Sequence, residues 1–432
     1  MIDYANTSGL RWTVGGNPTS CKWVTPPSDT SGTATGNSLS LNKLLNKLKF
    51  NYQLERVRLW FSFVYVYGIL FPEDLNLDNK KESVRMSDTI HSFRTIFTEL
   101  GYREHCAVPV YPCVDRTTLF VGSTISVLKN TIFSGTLDRV FLTQPCLRTQ
   151  NLKRILEVDF DPEYLSSFVM LGTLSAPDNF LAHKEIPAFF SSFAELSERV
   201  LVRSSRTIEN ALFRALTQHY RHEYDTREPH YYQWRYGERL LSGTGITFAF
   251  EQSDGTFLDI GNLVQIYRGK DLCAIEFGFG LETFTARLAG KGSPYAVAPD
   301  YTRLEWGISP SEKCLADCLV VARKLSGVGV RPDSGRAPSV LRKALRSACF
   351  LALRIFGESA EDVLCGTLYR CAPEDARWLQ MTRSAFQEVE TSIASYKHEV
   401  AHMRQHASTQ YLARKKWEYR TRYGIPDEID VS

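Results

Sequence analysis

The spacing of apolar residues divides the chain into segments with helical and extended patterns. Between Ser87 and Leu100 apolar side chains recur every three or four positions, which predicts an amphipathic helix that stops at Gly101. The stretch Ala107–Pro112 then has the pattern of a strand that ends at a proline. A second amphipathic helix is predicted after Phe120, with inward positions at Ile125, Leu128 and Ile132.

Further along, apolar runs of strand length alternate with polar loops. Val140–Arg148 is an apolar strand that ends in an arginine, and Ser167–Gly172 returns as a second strand. Phe257–Ile266 has the alternating pattern of a strand, and Cys273–Leu288 opens as a buried strand and continues as a helix. From Ser311 onward the pattern is helical. The chain is therefore predicted to have an α+β fold followed by an α-helical domain.

The pattern also sets the predicted domain boundaries. Residues 1–85 form an N-terminal extension that we expect to be partly disordered, because Thr25–Ser40 is mostly Ser, Thr, Gly, Pro and Asn. Residues 86–300 form the mixed domain, and residues 301–432 form the helical domain with a basic C-terminal segment, Arg414–Tyr423.

Composition narrows the class of protein. Of 432 residues, 43% are hydrophobic and 23% charged, as in ordinary globular proteins, and a net charge of +3 is too small to imply nucleic-acid binding by itself. Ten cysteines without Cys-x-x-Cys pairs favour the reducing cytoplasm. The apolar run Leu59–Phe71 is shorter than the about 20 residues that span a bilayer, so no membrane association is expected.

Several residues carry candidate chemistry. Gly278 and Gly280 lie at a strand-to-helix junction, where the missing Cβ atoms let a ligand approach the backbone, although such glycines taken alone more often mark a structural bend. The guanidinium of Arg148 suits a carboxylate or a phosphate. Glu276 lies on a strand that faces the core, where a carboxylate is costly without a cation, and this favours a site role.

The order of Arg148, Phe168, Trp234 and Asn262, followed by the glycine-containing junction, resembles the catalytic core of alanyl-tRNA synthetase, a class II synthetase. The resemblance covers about Met86–Met403. It implies an antiparallel sheet flanked by helices, with motif 1 near residues 101–134, motif 2 in the strands around Arg148 and Phe168, and motif 3 at residues 273–288. It also implies the substrate ATP, Mg²⁺ and a small, alanine-like amino acid.

The resemblance assigns a role to each matching position. Arg148 would hold the amino-acid carboxylate and the α-phosphate as the catalytic residue. ATP would contact Arg148, Phe168, Met170, Gly280 and Glu282. The amino acid would lie among Trp234, Asn262, Val264, Glu276 and Gly278, although Trp234 could equally be an ordinary core aromatic. Asp259 would hold Mg²⁺.

Three departures from the family pattern concern ATP and the amino acid. The cationic cluster of the motif 2 loop is replaced by Glu163–Val169, which is neutral or acidic, and Lys153 and Arg154 are the cations that could take its place. The last arginine of motif 3, which would stack on adenine, is Thr283, and Arg287 lies about 6 Å further along the helix. Glu276 replaces an aspartate, so that alanine as the substrate is not secured.

The helical domain has a basic face that resembles the tRNA-recognition helices of the family. Its candidate tRNA-binding residues are Arg336, Arg342, Lys343 and Arg346; a solvated helix face is the alternative. Ser334 replaces an asparagine of the family, which weakens the case for alanine tRNA. His398-Glu-Val-Ala-His402 has the spacing of a zinc site but no third ligand, and we discount it.

Two functions follow from the sequence. The first is ATP-dependent activation of a small amino acid as its adenylate and transfer to an acceptor, which could be tRNA, a carrier protein or a small metabolite. The second is that of a catalytically inactive paralogue that binds an amino acid or RNA as a subunit or regulator. The sequence leaves the oligomeric state open.

Overall fold

A computed structural model describes residues 85–112, 115–193, 196–207, 211–237, 241–307, 309–406, 408–423 and 425. The predicted N-terminal extension therefore lies outside the described residues, apart from Arg85.

The described part of the chain is built on one mixed, mainly antiparallel sheet of nine strands. Its order is β1-β2-β3-β9-β8-β7-β4-β5, with β6 paired to β7, and only the β1–β2 and β4–β5 pairs are parallel. The strands are β1 Arg103–Glu104, β2 Val140–Leu147, β3 Ser167–Ser175, β4 Val200–Ser205, β5 Arg221–Asp225, β6 Gln233–Arg235, β7 Leu241–Glu251, β8 Phe257–Arg268 and β9 Asp271–Gly280.

Helices cover both faces of the sheet and form the C-terminal region. Those of the sheet region are α1 Met86–Glu99, α2 Thr124–Phe133, α3 Asn151–Arg154, α4 Ala182–Ser191, α5 Ala211–Leu216, α6 Leu281–Leu288 and α7 Pro299–Thr302. Those of the C-terminal region are α8 Pro310–Gly327, α9 Arg336–Phe356, α10 Ala360–Cys371, α11 Ala376–His406 and α12 Thr409–Tyr423. None of the described helices is long and apolar enough to cross a membrane. The predicted fold class, α+β with a helical region after the sheet, is confirmed.

Alternation along the central strand β9 separates the two faces of the sheet. Phe277 and Phe279 point into an aromatic core shared with α1, α4 and α6, in which the ring of Phe279 lies 4.7 Å from that of Phe284. Glu276 and Gly278 occupy the intervening positions and therefore lie on the opposite face, the side that α2 covers. The carboxyl group of Glu276 thus lies on the face of the sheet opposite the aromatic core.

The helical region continues into the base of motif 2. Its core joins α8, α9, α10 and α11 to Leu147 at the end of β2 and Leu165 just before β3. A Ser309–Glu312 capping box fixes the start of α8, because each residue bonds the other's backbone N–H. The domain boundary at residue 300 stays a prediction.

One predicted strand is wrong. Residues 107–112 join no strand ladder; instead Val108 donates its N–H to Gln144 Oε1 at 2.9 Å and accepts from Gln144 Nε2 at 2.8 Å. The side chain of Gln144, which is fully buried on β2, thus takes the place of a neighbouring strand.

Helix α2 packs against the sheet at a glycine. A Cβ added to Gly172 on β3 would lie 1.9 Å from Thr124 Oγ1 and 3.1 Å from Thr124 Cβ. Only glycine permits this approach, which brings the first turn of α2 over Glu276.

We therefore expect Gly172→Ala to destabilise the chain by about 1–3 kcal/mol, because the methyl group must displace α2. Urea denaturation measures the effect. In a Thr124→Ala background most of the cost should disappear, whereas Gly292→Ala, whose new Cβ meets no heavy atom of the described chain within 4 Å, is the control. An equal cost in both backgrounds would contradict this account of the packing.

Candidate active site

A cavity of about 550 Å³ opens on the α2 face of the sheet. Strands β3, β6, β8 and β9 form part of its wall, and α2 with the residues on either side of it forms another part. Seven residues that the sequence selects line it together: Arg148, Met170, Trp234, Asn262, Val264, Glu276 and Gly278. Their separation in sequence is bridged by the register of the sheet, which pairs Asn262 with Gly278 and Val264 with Glu276.

Glu276 is the buried acid of this cavity. Burial raises its pKa to about 7, against the opposing effects of the Thr124 hydroxyl, the Arg148 guanidinium and the Ile125 N–H. The carboxyl group is therefore balanced between its charged and neutral forms near neutral pH, and a bound cation would favour the charged form.

Arg148 is positioned at the exposed end of the motif 2 hairpin. Its backbone N–H donates to Ser166 O at 2.8 Å, which closes the hairpin, and its Nε donates to Gly122 O at 2.9 Å. The Cζ atom lies 4.9 Å from the centre of the Phe168 ring. The guanidinium is thus fixed on one edge, while the side chain remains exposed to solvent.

Phe168 and Gly280, which the resemblance assigns to ATP, and Thr283, which replaces the stacking arginine, are here called the adenine platform. It lies beside the cavity, and none of the three residues lines it. A Cβ on Gly280 would lie 3.5 Å from Phe168 Cδ2 and 3.6 Å from Thr283 Oγ1. Thr283 therefore stands next to the aromatic ring, at the position where the family pattern has arginine, and it offers no second planar group for stacking.

Glu282 has a structural contact that the sequence did not suggest. Both of its carboxylate oxygens lie 3.0 Å from the backbone nitrogen of Val169, which donates its N–H to them, and burial raises its pKa to about 7. The side chain thereby joins the first turn of α6 to β3. Its predicted contact with ATP stays a prediction.

Asp259 lies in an ion-pair network. Its carboxylate accepts from Arg203 at 3.0 Å, from Arg227 at 2.5 Å and from the Tyr231 hydroxyl at 2.7 Å. No group of three or more metal-ligating side chains occurs among the described residues. Because two guanidinium groups already neutralise Asp259, these residues as arranged do not fit Mg²⁺.

Arg287 does not take over the place of the missing motif 3 arginine. Its guanidinium is buried, 3.9 Å from the Glu163 carboxylate of the motif 2 loop. Its Nε and Nη1 have no hydrogen-bond partner among the described residues, and burial lowers its pKa. The side chain points toward that loop, and the adenine platform keeps its threonine.

Lys129 and Tyr236 line the cavity although the sequence analysis did not select them. Lys129, on α2, is buried and donates to Asp115 at 2.5 Å, to Thr117 Oγ1 at 2.8 Å and to Tyr236 O at 2.5 Å. Its position four residues after Ile125, on the inward stripe of the helix, was the available signal.

The predicted tRNA-binding residues lie along α9. Arg336 and Lys343 are exposed, whereas Arg342 donates to Pro332 O at 3.3 Å. Arg342 and Arg346 line a smaller groove of about 170 Å³ against α11. Burial lowers the pKa of Lys343, and nearby Lys153 in the motif 2 loop acts in the same direction. The basic face thus reaches the motif 2 loop.

Comparisons with known proteins add a likeness of fold. No protein-family model and no curated protein matches the chain. Similar solved structures include asparaginyl-tRNA synthetase from Pyrococcus horikoshii complexed with asparaginyl-adenylate, with 11% identity, a TM-score of 0.31 and coverage of 50% of this chain and 66% of that chain. Another, assigned as an aspartyl-tRNA synthetase from Leishmania major Friedlin, has 11% identity, a TM-score of 0.27 and coverage of 50% and 63%. The matches thus span slightly less than two thirds of those chains.

The raised pKa of Glu276 has a measurable effect on stability. Because its pKa rises from 4.5 to about 7 on folding, the folded state holds the proton more tightly, and stability falls as pH rises through this window. Glu276→Gln removes the cost of the buried charge. The free energy of unfolding of the variant minus that of the unchanged protein, measured by urea denaturation, should therefore be about 2–3 kcal/mol larger at pH 8 than at pH 5. Glu99→Gln, at an exposed position, is the control, and an equal effect at both pH values would contradict the assignment.

Proposed function

We propose that the chain activates an amino acid as its adenylate, with ATP as the second substrate. The supporting observation is that Arg148 and Glu276 line one cavity, together with Asn262 and Gly278, which are paired on the adjacent strands β8 and β9. An exposed guanidinium and a buried carboxyl group suit the carboxylate and the ammonium group of an amino acid.

The chemistry assigned to these residues is one of positioning and charge. Glu276 binds the ammonium group and becomes ionised as it does so. Arg148 holds the carboxylate, whose oxygen attacks the α-phosphorus of ATP while the bond to pyrophosphate breaks. The same guanidinium then stabilises the negative charge of the pentacoordinate phosphate. Gly278 leaves room for the substrate, because a side chain at this position would add a methyl group to the cavity wall. The protein itself would tolerate that methyl group, since its Cβ would lie 3.5 Å from Met170 Sδ, an ordinary contact distance.

The acceptor of the aminoacyl group is proposed to be tRNA. The basic face of α9 supports this. Lys343 on that face lies close enough to Lys153 of the motif 2 loop for the charge of Lys153 to lower the pKa of Lys343. A carrier protein or a small metabolite remains the alternative acceptor. The resemblance predicts a small, alanine-like amino acid.

The second candidate function is that of an inactive paralogue which keeps the amino-acid cavity. Two observations favour the inactive paralogue, because each weakens the expected contacts with ATP. The adenine platform contains Thr283 in place of an arginine, and the Asp259 carboxylate is neutralised by two guanidinium groups. Such a protein would bind an amino acid or RNA without chemistry.

Exchange of labelled pyrophosphate into ATP, screened over all twenty amino acids, tests the proposal. We expect exchange with at least one amino acid, and we expect Arg148→Gln to lower its rate by at least about 100-fold, because the variant loses a charged contact to the transition state. Arg103→Gln is the matched control, since Arg103 is exposed on β1 and is not part of the cavity wall. Binding of an amino acid without any exchange would instead support the inactive paralogue.

The loss of the motif 3 arginine generates a separate prediction. Thr283→Arg should tighten ATP binding roughly tenfold in calorimetry, because a guanidinium beside Phe168 can stack on the adenine base. Thr302→Arg, at an exposed position outside this platform, is the control. Unchanged affinity in Thr283→Arg would remove Phe168 and Gly280 from the nucleotide site.

A further inference from the structure

The cavity is much larger than alanine requires. A cavity of about 150 Å³ holds benzene, which has as many non-hydrogen atoms as alanine. The cavity here measures about 550 Å³. A site made for alanine would leave most of this volume to water, and the difference calls for a larger occupant.

The adenine end of ATP does not account for the excess. Phe168, Gly280 and Thr283, the adenine platform, do not line the cavity, and the Arg148 guanidinium lies over the ring of Phe168. The α-phosphate would lie at the Arg148 end. The wall of the cavity also includes Ser123, Ser126 and Lys129, at the start of α2 and along it.

The part of the wall that α2 and its first turn contribute is polar but already neutralised. Lys129 carries a charge, and its ammonium group donates to Asp115, Thr117 Oγ1 and Tyr236 O, which uses all three of its protons. The Ser123 and Ser126 hydroxyls bond each other at 3.2 Å. An ionised side chain would find no free counter-charge on these groups, and Arg235, a further cation of the wall, is exposed to solvent, which weakens its attraction for an anion. An uncharged polar side chain would meet hydroxyl groups.

Tyr236 lines the cavity and has a buried hydroxyl group. Its oxygen has no hydrogen-bond partner among the described residues. It lies against β7, where a Cβ on Gly243 would be 2.9 Å from it, and it is close enough to Glu276 and Arg148 for their charges to act on it. A buried hydroxyl without a partner costs about 1–3 kcal/mol, and a bound ligand would remove that cost.

We propose that the cavity selects an amino acid whose side chain is uncharged, forms hydrogen bonds and is longer than a methyl group, and that the Tyr236 hydroxyl bonds this side chain. The inference rests on the proposed function only in that the cavity binds an amino acid; it does not require the activation step. Glutamine and asparagine have the required chemistry and serve as probes.

Calorimetric binding of free amino acids to the full chain, without ATP, tests the proposal. Glutamine or asparagine should bind at least tenfold more tightly than alanine, leucine and glutamate. Tyr236→Phe should weaken the preferred amide amino acid about tenfold and leave leucine unchanged. Its thermal midpoint without ligand should be equal or higher, because no protein hydrogen bond is lost. Tyr369→Phe, at a side chain 62% exposed, is the matched control.

The possible failures are distinguishable. Tightest binding of alanine, leucine or glutamate, or no binding of any of the five at millimolar concentration, would overturn the inference. An equal loss for every amino acid in Tyr236→Phe would place the hydroxyl at the ammonium group and overturn the side-chain contact. Amide binding without pyrophosphate exchange would leave the inference standing and refute activation, whereas exchange with alanine alone would do the reverse.

Discussion

The site depends on one buried carboxylate in the helical region. Asp317 on α8 accepts from the Ser166 N–H at 2.8 Å, the Ser166 hydroxyl at 2.5 Å, Asn151 Nδ2 at 3.0 Å and the Tyr301 hydroxyl at 2.9 Å. Burial raises its pKa, and the four donors oppose that shift. Because Ser166 also accepts from the Arg148 backbone N–H, this carboxylate fixes the end of the hairpin that carries the catalytic candidate.

The two faces of the sheet have different tasks, and β9 shows why both are needed. Phe277 and Phe279 anchor the strand in an aromatic core, which gives the stability that a polar cavity cannot supply. On the other face Glu276 is kept partly neutral by its burial. The strand thus holds an unfavourable carboxyl group in place by the packing of its own alternate residues, as is common where a site conflicts with stability.

Local patterns predicted the elements that carry the site. The periodicity before Gly101 predicts α1, which runs over Met86–Glu99, and the inward stripe at Ile125 predicts α2. The buried strand predicted to open at Cys273 is β9, Asp271–Gly280, and it contains Glu276. The helix Ala360–Cys371 lies in the region from Ser311 onward, where the sequence predicts helices.

Contacts between distant residues were beyond the reach of these patterns. The pairing of Gln144 with Val108 spans 36 positions and replaces a predicted strand, and the link between Lys129 and Tyr236 spans 107. The carboxylate of Asp259 has the chemistry of a metal ligand, but its guanidinium partners come from other strands and loops. Spacing describes what a residue could bind, whereas the fold determines which neighbour reaches it first.

The position of the Arg148 guanidinium over the Phe168 ring has a consequence for ligand binding. With the guanidinium 4.9 Å from the ring centre, that face of the ring is covered. A purine that uses this face must displace the guanidinium, and an incoming carboxylate attracts it away from the ring. In the proposed function the purine and the carboxylate would therefore be thermodynamically coupled through one side chain, and binding of either ligand would lower the cost of binding the other.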